Sequence, residues 1–199
     1  MKGSGIVITL MLMSLNFLNL QAQKSALLLI DIQNFYFPGG RMALENPDAA
    51  GMNAGLILDR FRINGDVIIH VRHDMSPGGE IHNYVKPQQG ELVITKNQVN
   101  AFSGTELLST LEGNGIEQLI ICGMQTHLCV EAAVRAAHDF KFKCILVTDA
   151  CATKALQYKE NIISAKYVHY STLSTLEGHY ATLITTDELL KNFEQYVPR

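Results

Sequence analysis

Three residues with chemically useful side chains each follow a short apolar run of the chain: Asp31, Lys96 and Cys129. A cysteine in the first turn of a helix gains backbone amide donors and a positive dipole, which lower the pKa of its thiol. A carboxylate beside that cysteine can accept the thiol proton and pass it to a leaving amine, while a lysine ammonium stabilises both groups. The three residue types together predict a nucleophilic acyl-transfer site.

The turn over residues 123–129 supports this chemistry with its backbone. It is able to aim the N–H groups of Gln125 and Cys129 at the oxyanion of a tetrahedral intermediate. Each side chain also has a simpler interpretation. Asp31 is able to cap a neighbouring helix, Lys96 to reach solvent, and Cys129 to pack as a small buried hydrophobe.

The elements that must position these residues alternate between strands and helices. Apolar runs predict strands at 26–30, 67–71, 92–95, 118–122, 144–148 and 182–185, and helical patterns lie near 48–63, 105–113, 127–140, 156–177 and 187–195. This alternation predicts a three-layer α/β/α fold around a doubly wound, mostly parallel sheet of six strands. Ligands of such sheets bind at the carboxyl ends of the strands, where the three chemical residues are expected to meet.

Composition limits the function classes. The 199 residues carry 16 Lys and Arg against 19 Asp and Glu, a net charge of −3, with 47% hydrophobic and 18% charged residues. One globular domain fits this length and composition. No basic run is long enough for binding nucleic acid or an anionic membrane, so neither is expected as a partner.

The first 23 residues read as a secretory signal peptide. Eleven of the 15 residues from 6 to 20 are apolar, which suits a signal core and is short of the ~20 needed to span a bilayer. We therefore expect a signal peptide at 1–23, a mature domain at 24–199, and a periplasmic or secreted protein. The alternative is an uncleaved amphipathic first helix.

Several segments together resemble the isochorismatase-like cysteine hydrolases, a superfamily that includes nicotinamidases, N-carbamoylsarcosine amidases and ureidoacrylate amidohydrolases. The resemblance is carried by Leu28-Leu-Ile-Asp-Ile-Gln33 with Phe35, by Thr95-Lys96 with Asn100-Ala-Phe-Ser-Gly-Thr-Glu-Leu107, and by Gly123-Met-Gln-Thr-His-Leu-Cys-Val130. It extends over nearly the whole mature chain.

The resemblance implies an Asp31, Lys96 and Cys129 triad that cleaves a C–N bond of a small amide, carbamoyl or ureido compound through a thioester. It implies a cis peptide bond between Met124 and Gln125, next to the oxyanion donors. It implies a small-molecule substrate, no cofactor, and a homo-oligomer, either a dimer or a tetramer.

Differences between this sequence and the motifs of particular subfamilies narrow the range of expected substrates. Nicotinamidases carry an Asp-x-His metal motif after the second strand, where this chain has Val71-Arg-His-Asp-Met75. His73, Asp74 and His82 are the remaining metal candidates, but their order differs from that motif, so no metal is expected. The members that cleave the vinyl ether of isochorismate lack the nucleophilic cysteine, so Cys129 disfavours that activity.

Substrate contacts are predicted from residues near the triad. They are Gln33, Phe35, Phe37, Arg72, His73 and Phe102. The phenylalanines would wall an apolar slot, Arg72 or His73 would bind a substrate carboxylate or carbonyl, and Gln33, on the resemblance, would orient the substrate. His127 is a further candidate wall residue. Packing in the core is the alternative for the aromatic rings.

The four cysteines are too sparse for a disulfide framework, and Cys129 must stay free if it is the nucleophile. Two other functional classes remain open at this point. One is a non-catalytic small-molecule-binding or scaffold protein that keeps the fold. The other is a thiol redox protein, which the lack of a Cys-x-x-Cys pair disfavours.

Overall fold

The computed structural model describes residues 23–198. The predicted signal peptide falls on residues outside this range, except for its last residue, so cleavage and export stay predictions. Within residues 23–198, no helix combines the length and the apolar character needed to cross a membrane.

Eight strands are present in the described part of the chain. They are β1 (Ser25–Ile30), β2 (Val67–His73), β3 (Leu92–Lys96), β4 (Gln118–Met124), β5 (Lys143–Ala152), β6 (Leu156–Tyr158), β7 (Asn161–Ile163) and β8 (Thr182–Ile184). Six of them form one parallel sheet in the order β3-β2-β1-β4-β5-β8. The predicted doubly wound sheet is therefore confirmed, and each of the six predicted strands overlaps an observed one.

Helices cover both faces of this sheet. They are α1 (Pro47–Asn64), α2 (Leu107–Gly113), α3 (Glu131–Asp139), α4 (Ala165–Leu176), α5 (Thr186–Lys191) and α6 (Phe193–Tyr196). One layer contains α1, α5 and α6, where the rings of Phe61 and Phe193 meet edge to face at 5.2 Å. Helices α3 and α4 pack together in the other layer.

The helix predicted for residues 156–177 is wrong over its first third. Residues 156–163 form the antiparallel hairpin β6–β7, and α4 starts only after Ser164. Lys159 in the tight turn has φ +53°, a left-handed conformation that a helix interior does not contain. The paired residues Ile162 and Ile163 are β-branched and suit a strand, although their spacing from Leu156 also fits a helix.

The sheet reverses its strand order between β1 and β4, and this is where the candidate site lies. β1 and β4 run side by side, with Ile30 opposite Gly123. β1 is buried along its whole length because helices cover both faces, which explains its unbroken apolar sequence. The crevice beyond the carboxyl ends at such a reversal is the usual ligand position in open α/β sheets.

Candidate active site

Asp31 lies beside this crevice, at the carboxyl end of β1, in an unusual backbone conformation. It directly follows β1 and has φ +49°, in the left-handed region that aspartate tolerates better than most side chains. Its amide donates to the carbonyl of Val71 at 2.9 Å, which ties it to β2. The side chain is fully buried, so the carboxylate is presented inside the protein.

Lys96, the last residue of β3, contacts both of the other predicted catalytic residues. Its Nζ lies 2.8 Å from Oδ2 of Asp31 and 3.3 Å from Sγ of Cys129. The same nitrogen lies 3.0 Å from the carbonyl of Gln98 and 3.2 Å from Nδ1 of His73. The Lys96 side chain has no exposed surface, so these contacts replace its hydration shell. We call Asp31, Lys96 and Cys129 the reactive cluster.

Cys129 lies in a π-helical turn, Thr126–Val130, that leads directly into α3. The carbonyl of Gln125 accepts from the amides of Leu128 and Val130, at 3.0 and 3.3 Å. This turn has wider hydrogen-bond rings than an α-helix, and such π turns are often found at functional sites. It places Cys129 against Lys96 with only 4% of the residue exposed.

The expectation of a lowered thiol pKa at Cys129 is wrong. Burial raises the pKa of the thiol to about 12, the charge of Asp31 acts in the same direction, and Lys96 opposes them. The helix dipole invoked from the sequence does not compensate for the loss of water around a sulfur that is almost completely enclosed. The resting group is therefore a thiol, and a neighbouring base must remove its proton.

Asp31 suits the role of that base. Burial raises the pKa of its carboxyl above the ordinary value, and this effect exceeds the opposing effect of the Lys96 charge. A carboxylate whose pKa is raised binds a proton more strongly, so transfer from the Cys129 thiol costs less free energy.

The strand that leads to Cys129 ends in a constrained turn. The peptide bond between Met124 and Gln125 is cis, at the position where the sequence resemblance places one. Gly123 just before it has φ +137°, and a Cβ at this position would collide with the carbonyl oxygen of Ile30. Only glycine fits there, because β1 passes so close.

Two of the predicted substrate contacts have structural partners instead. The amide of Gln33 donates to the carbonyls of His73 and Gly79, at 2.9 and 2.7 Å, and its oxygen accepts from the amide of His73 at 2.8 Å. Gln33 is fully buried and fixes the loop after β2 to the loop after β1. His73 faces Lys96, and burial followed by the Lys96 charge lowers the pKa of its imidazole. A neutral His73 therefore accepts from Lys96.

The predicted aromatic wall is packed into the interior. Phe35 and Phe37 are 1% and 3% exposed. Phe37 stacks on His82 at 3.6 Å, and Phe102 packs near the rings of Phe140 and Phe142. These contacts favour the core-packing interpretation of the three phenylalanines.

Arg72 and His127 lie apart from the cluster's hydrogen bonds. Nε of Arg72 is buried and has no hydrogen-bond partner among residues 23–198. Nδ1 of the His127 ring pairs with the hydroxyl of Thr153 rather than with a residue of the reactive cluster.

The metal candidates do not converge. In the described part of the chain, no group of three His, Cys, Asp or Glu side chains is arranged to hold a metal ion. Nδ1 of His73 pairs with Lys96, whereas Nδ1 of His82 accepts from the amide of Tyr84 at 3.3 Å. All four cysteines are buried free thiols.

Tyr36 is a site residue that the sequence analysis missed. It ends the 3₁₀ turn Asn34–Tyr36, and its hydroxyl accepts from Nε2 of Gln125 at 3.2 Å. Burial raises the pKa of its phenol, the hydrogen bond from Gln125 acts against this rise, and the charge of Asp31 adds to it. Its position five residues after Asp31 was the available signal, but the surrounding phenylalanines suggested an apolar wall.

Comparison with known proteins places these features in a family context. The family model described as the isochorismatase domain matches residues 25–187. The isochorismatase family protein YddQ of Bacillus subtilis is 43% identical over 178 residues, which cover 84% of this chain and 99% of YddQ. The crystal structure of a putative isochorismatase hydrolase from Oleispira antarctica is 37% identical, with a TM-score of 0.81, and the match covers 85% of this chain and 97% of that one.

A relative with a named activity is also similar. Streptothricin hydrolase of Streptomyces noursei is 31% identical over 137 residues, which cover 64% of this chain and 49% of that protein.

Proposed function

This chain belongs to the isochorismatase family of hydrolases, and on that premise we propose that it is a cysteine hydrolase that cleaves a C–N bond of a small amide, carbamoyl or ureido compound. Asp31, Lys96 and Cys129 would form its catalytic triad. The similarity to streptothricin hydrolase supports hydrolysis as the reaction. It leaves the substrate of this chain open.

One observation carries the proposal. A single buried ammonium, Nζ of Lys96, lies 2.8 Å from the Asp31 carboxylate and 3.3 Å from the Cys129 sulfur. A structural cysteine needs neither a base nor a cation beside it. A buried Asp–Lys pair next to a thiol supplies a proton acceptor and a countercharge for a sulfur nucleophile.

The reaction then proceeds in two halves. The Cys129 thiol gives its proton to Asp31 while sulfur forms a bond to the substrate carbonyl carbon. The tetrahedral oxyanion collapses, the C–N bond breaks, and the proton on Asp31 goes to the leaving nitrogen. Water then attacks the thioester and gives a proton to Asp31. Collapse breaks the C–S bond, releases the acid, and returns the proton to sulfur.

The turn before Cys129 supplies the electrostatic part of the mechanism. The backbone N–H groups of Gln125, at the start of the π-helical turn, and of Cys129, within it, would donate to the oxyanion. Lys96 would stabilise the negative charge as it moves between carboxylate and sulfur.

Release of ammonia from a panel of primary amides, carbamoyl compounds and ureido compounds tests the proposal. We expect turnover of at least one class by the wild type, loss of ~10³-fold or more in Cys129→Ala, and an acyl adduct on Cys129 in rapid-quench mass spectrometry. Cys144→Ala is the matched control, because its thiol is also buried with a pKa of about 12 but faces Val134.

The competing explanations predict other results. A non-catalytic binding protein would release no ammonia from any compound of the panel and form no adduct. A reaction that survives in Cys129→Ala would exclude the thioester route.

A further inference from the structure

Two polar side chains beside the reactive cluster have unused hydrogen-bonding capacity, and they suggest what the site recognises. Resting on the function proposed above, we propose that Tyr36 and Gln125 form a recognition pair for a neutral group that carries both a carbonyl and an N–H. An amide or ureido edge meets this requirement. The corresponding ester or carboxylate does not.

Gln125 provides the acceptor of the pair. The residue is 1% exposed, and Nε2 of its side chain donates to the hydroxyl of Tyr36 at 3.2 Å. Oε1 of the same side chain is buried and has no hydrogen-bond partner among residues 23–198. Burying an amide oxygen without a hydrogen-bond donor costs free energy, so such an atom in a native fold usually has a functional role or a partner outside the protein chain. A substrate N–H would supply the missing donor.

Tyr36 provides the donor. Its hydroxyl accepts from Gln125, and the hydrogen of that hydroxyl has no acceptor within the described part of the chain. The residue is only 4% exposed, so bulk water does not readily substitute for an acceptor. A substrate carbonyl would accept this hydrogen.

The pair is attached to both segments that carry the reacting groups. Tyr36 follows Asp31 in the 3₁₀ turn, and Gln125 precedes Cys129 in the turn after β4. The Tyr36 hydroxyl is hydrogen-bonded to Gln125, which directly precedes the π-helical turn that contains Cys129. A group bound by the pair is therefore close to the sulfur.

The free donor and free acceptor define the ligand chemistry. An amide or ureido edge presents one carbonyl oxygen and one N–H, which match Tyr36 and Gln125 respectively. An ester has no N–H to offer. A carboxylate presents only acceptors, so one of its oxygens would face Oε1 of Gln125 and be repelled.

Alkylation of Cys129 measures this preference without knowledge of the natural substrate. Iodoacetamide and methyl iodoacetate are both small and neutral, and they differ in the N–H that only the amide carries. The measured quantity is the ratio of second-order alkylation rates of Cys129, iodoacetamide over methyl iodoacetate, divided by the same ratio for N-acetylcysteine. Peptide mass spectrometry assigns the adduct to Cys129.

We expect a normalised ratio of at least ~10 in the wild type, because each lost hydrogen bond to a buried group costs about one power of ten. Gln125→Leu should lower the ratio to within about threefold of that for the free thiol. Tyr36→Phe removes the donor to the carbonyl that both probes carry, so it should slow both alkylations by about tenfold and keep the wild-type ratio. Tyr170→Phe, which removes an exposed hydroxyl, is the control and should keep the wild-type ratio.

The outcomes separate this inference from the proposed function. A wild-type ratio equal to that of N-acetylcysteine overturns the inference. So does a fall of both alkylation rates in Gln125→Leu with the ratio unchanged, since a packing role would act on both probes. Alkylation of Tyr36→Phe by both probes at the wild-type rates also overturns it, since no carbonyl would then depend on the Tyr36 hydroxyl. A pair-dependent preference without ammonia release or an acyl adduct would support the recognition pair while refuting the hydrolase mechanism.

Discussion

Replacing Lys96 by methionine tests the charge arrangement of the cluster most directly. Methionine fills a similar volume but removes the ammonium that lies 2.8 Å from Oδ2 of Asp31. With an effective dielectric constant of ~20, the Coulomb attraction over that distance is about 6 kcal/mol. Part of it offsets the cost of burying the two charges, and removing one partner of a buried pair typically costs about 3–5 kcal/mol.

Asp31 reduces this cost by taking up a proton, since its pKa is already raised by burial, and the cost of that protonation lowers the stability of the variant. A protonated Asp31 no longer accepts the proton of Cys129, so the activation barrier also rises. A barrier higher by about 3–5 kcal/mol lowers kcat/KM by about 10²- to 10⁴-fold. The assay is ammonia release on the best compound of the panel, with thermal melting to verify folding.

Two further variants make the result decisive. Lys143→Met removes an exposed lysine and should leave kcat/KM within twofold of wild type. The double variant Asp31→Asn with Lys96→Met removes both charges, so it should melt at a higher temperature than Lys96→Met and stay inactive. Cys129-dependent turnover by Lys96→Met within tenfold of wild type would refute the assigned role of the ammonium.

Two further predictions concern stability. Burial favours a higher pKa at Glu91, but the Arg62 guanidinium, 2.6 Å away, together with the Gln88 amide and His70, outweighs it and lowers the pKa from 4.5 to about 2. This pair therefore stabilises the fold above pH ~4.5 and loses its effect as the pH falls towards 2. Urea titrations should show that the free energy of unfolding falls by about 1–2 kcal/mol over that range, and Glu91→Gln should lack this loss. Gly123→Ala should lower the free energy of unfolding by about 3 kcal/mol or more, because its methyl group meets the carbonyl of Ile30. Gly113→Ala is the control, because this glycine ends a helix and has open space around it, and it should stabilise the protein by about 0.5–1 kcal/mol. If Gly123→Ala and Gly113→Ala changed the free energy of unfolding equally, the close approach of β1 to Gly123 would be contradicted.

The parts of the fold that the sequence predicts are those set by burial. A parallel strand covered on both faces must be apolar along its length, so its last apolar residue marks its carboxyl end. Asp31 follows such a run in β1, whereas Lys96 is the last residue of the partly exposed edge strand β3. Their meeting at one end of the sheet is a consequence of parallel strand direction. The hairpin at residues 156–163 is not predictable in this way, since it is exposed and packs little apolar surface.

Side-chain roles within the site depend on contacts between distant segments, which the sequence does not display. Gln33 looked available to a substrate, yet its amide bonds to backbone 40 and 46 residues further along the chain. Tyr36 was missed for the same reason, since its partner Gln125 is 89 residues away. The thiol pKa of Cys129 was misjudged because the local helix dipole is visible in sequence, whereas the surrounding burial is not.

The charges of the reactive cluster explain why Cys129 is a thiol, and not a thiolate, before a substrate reacts. Among residues 23–198, Lys96 is the one cation in contact with both Asp31 and Cys129, so the buried site accommodates one negative charge far better than two. Sulfur therefore becomes a thiolate only as Asp31 takes its proton, and charge then moves onward to the oxyanion when a carbonyl is present. Because oxidants attack the thiolate, a thiol whose pKa is about 12 resists oxidation between turnovers.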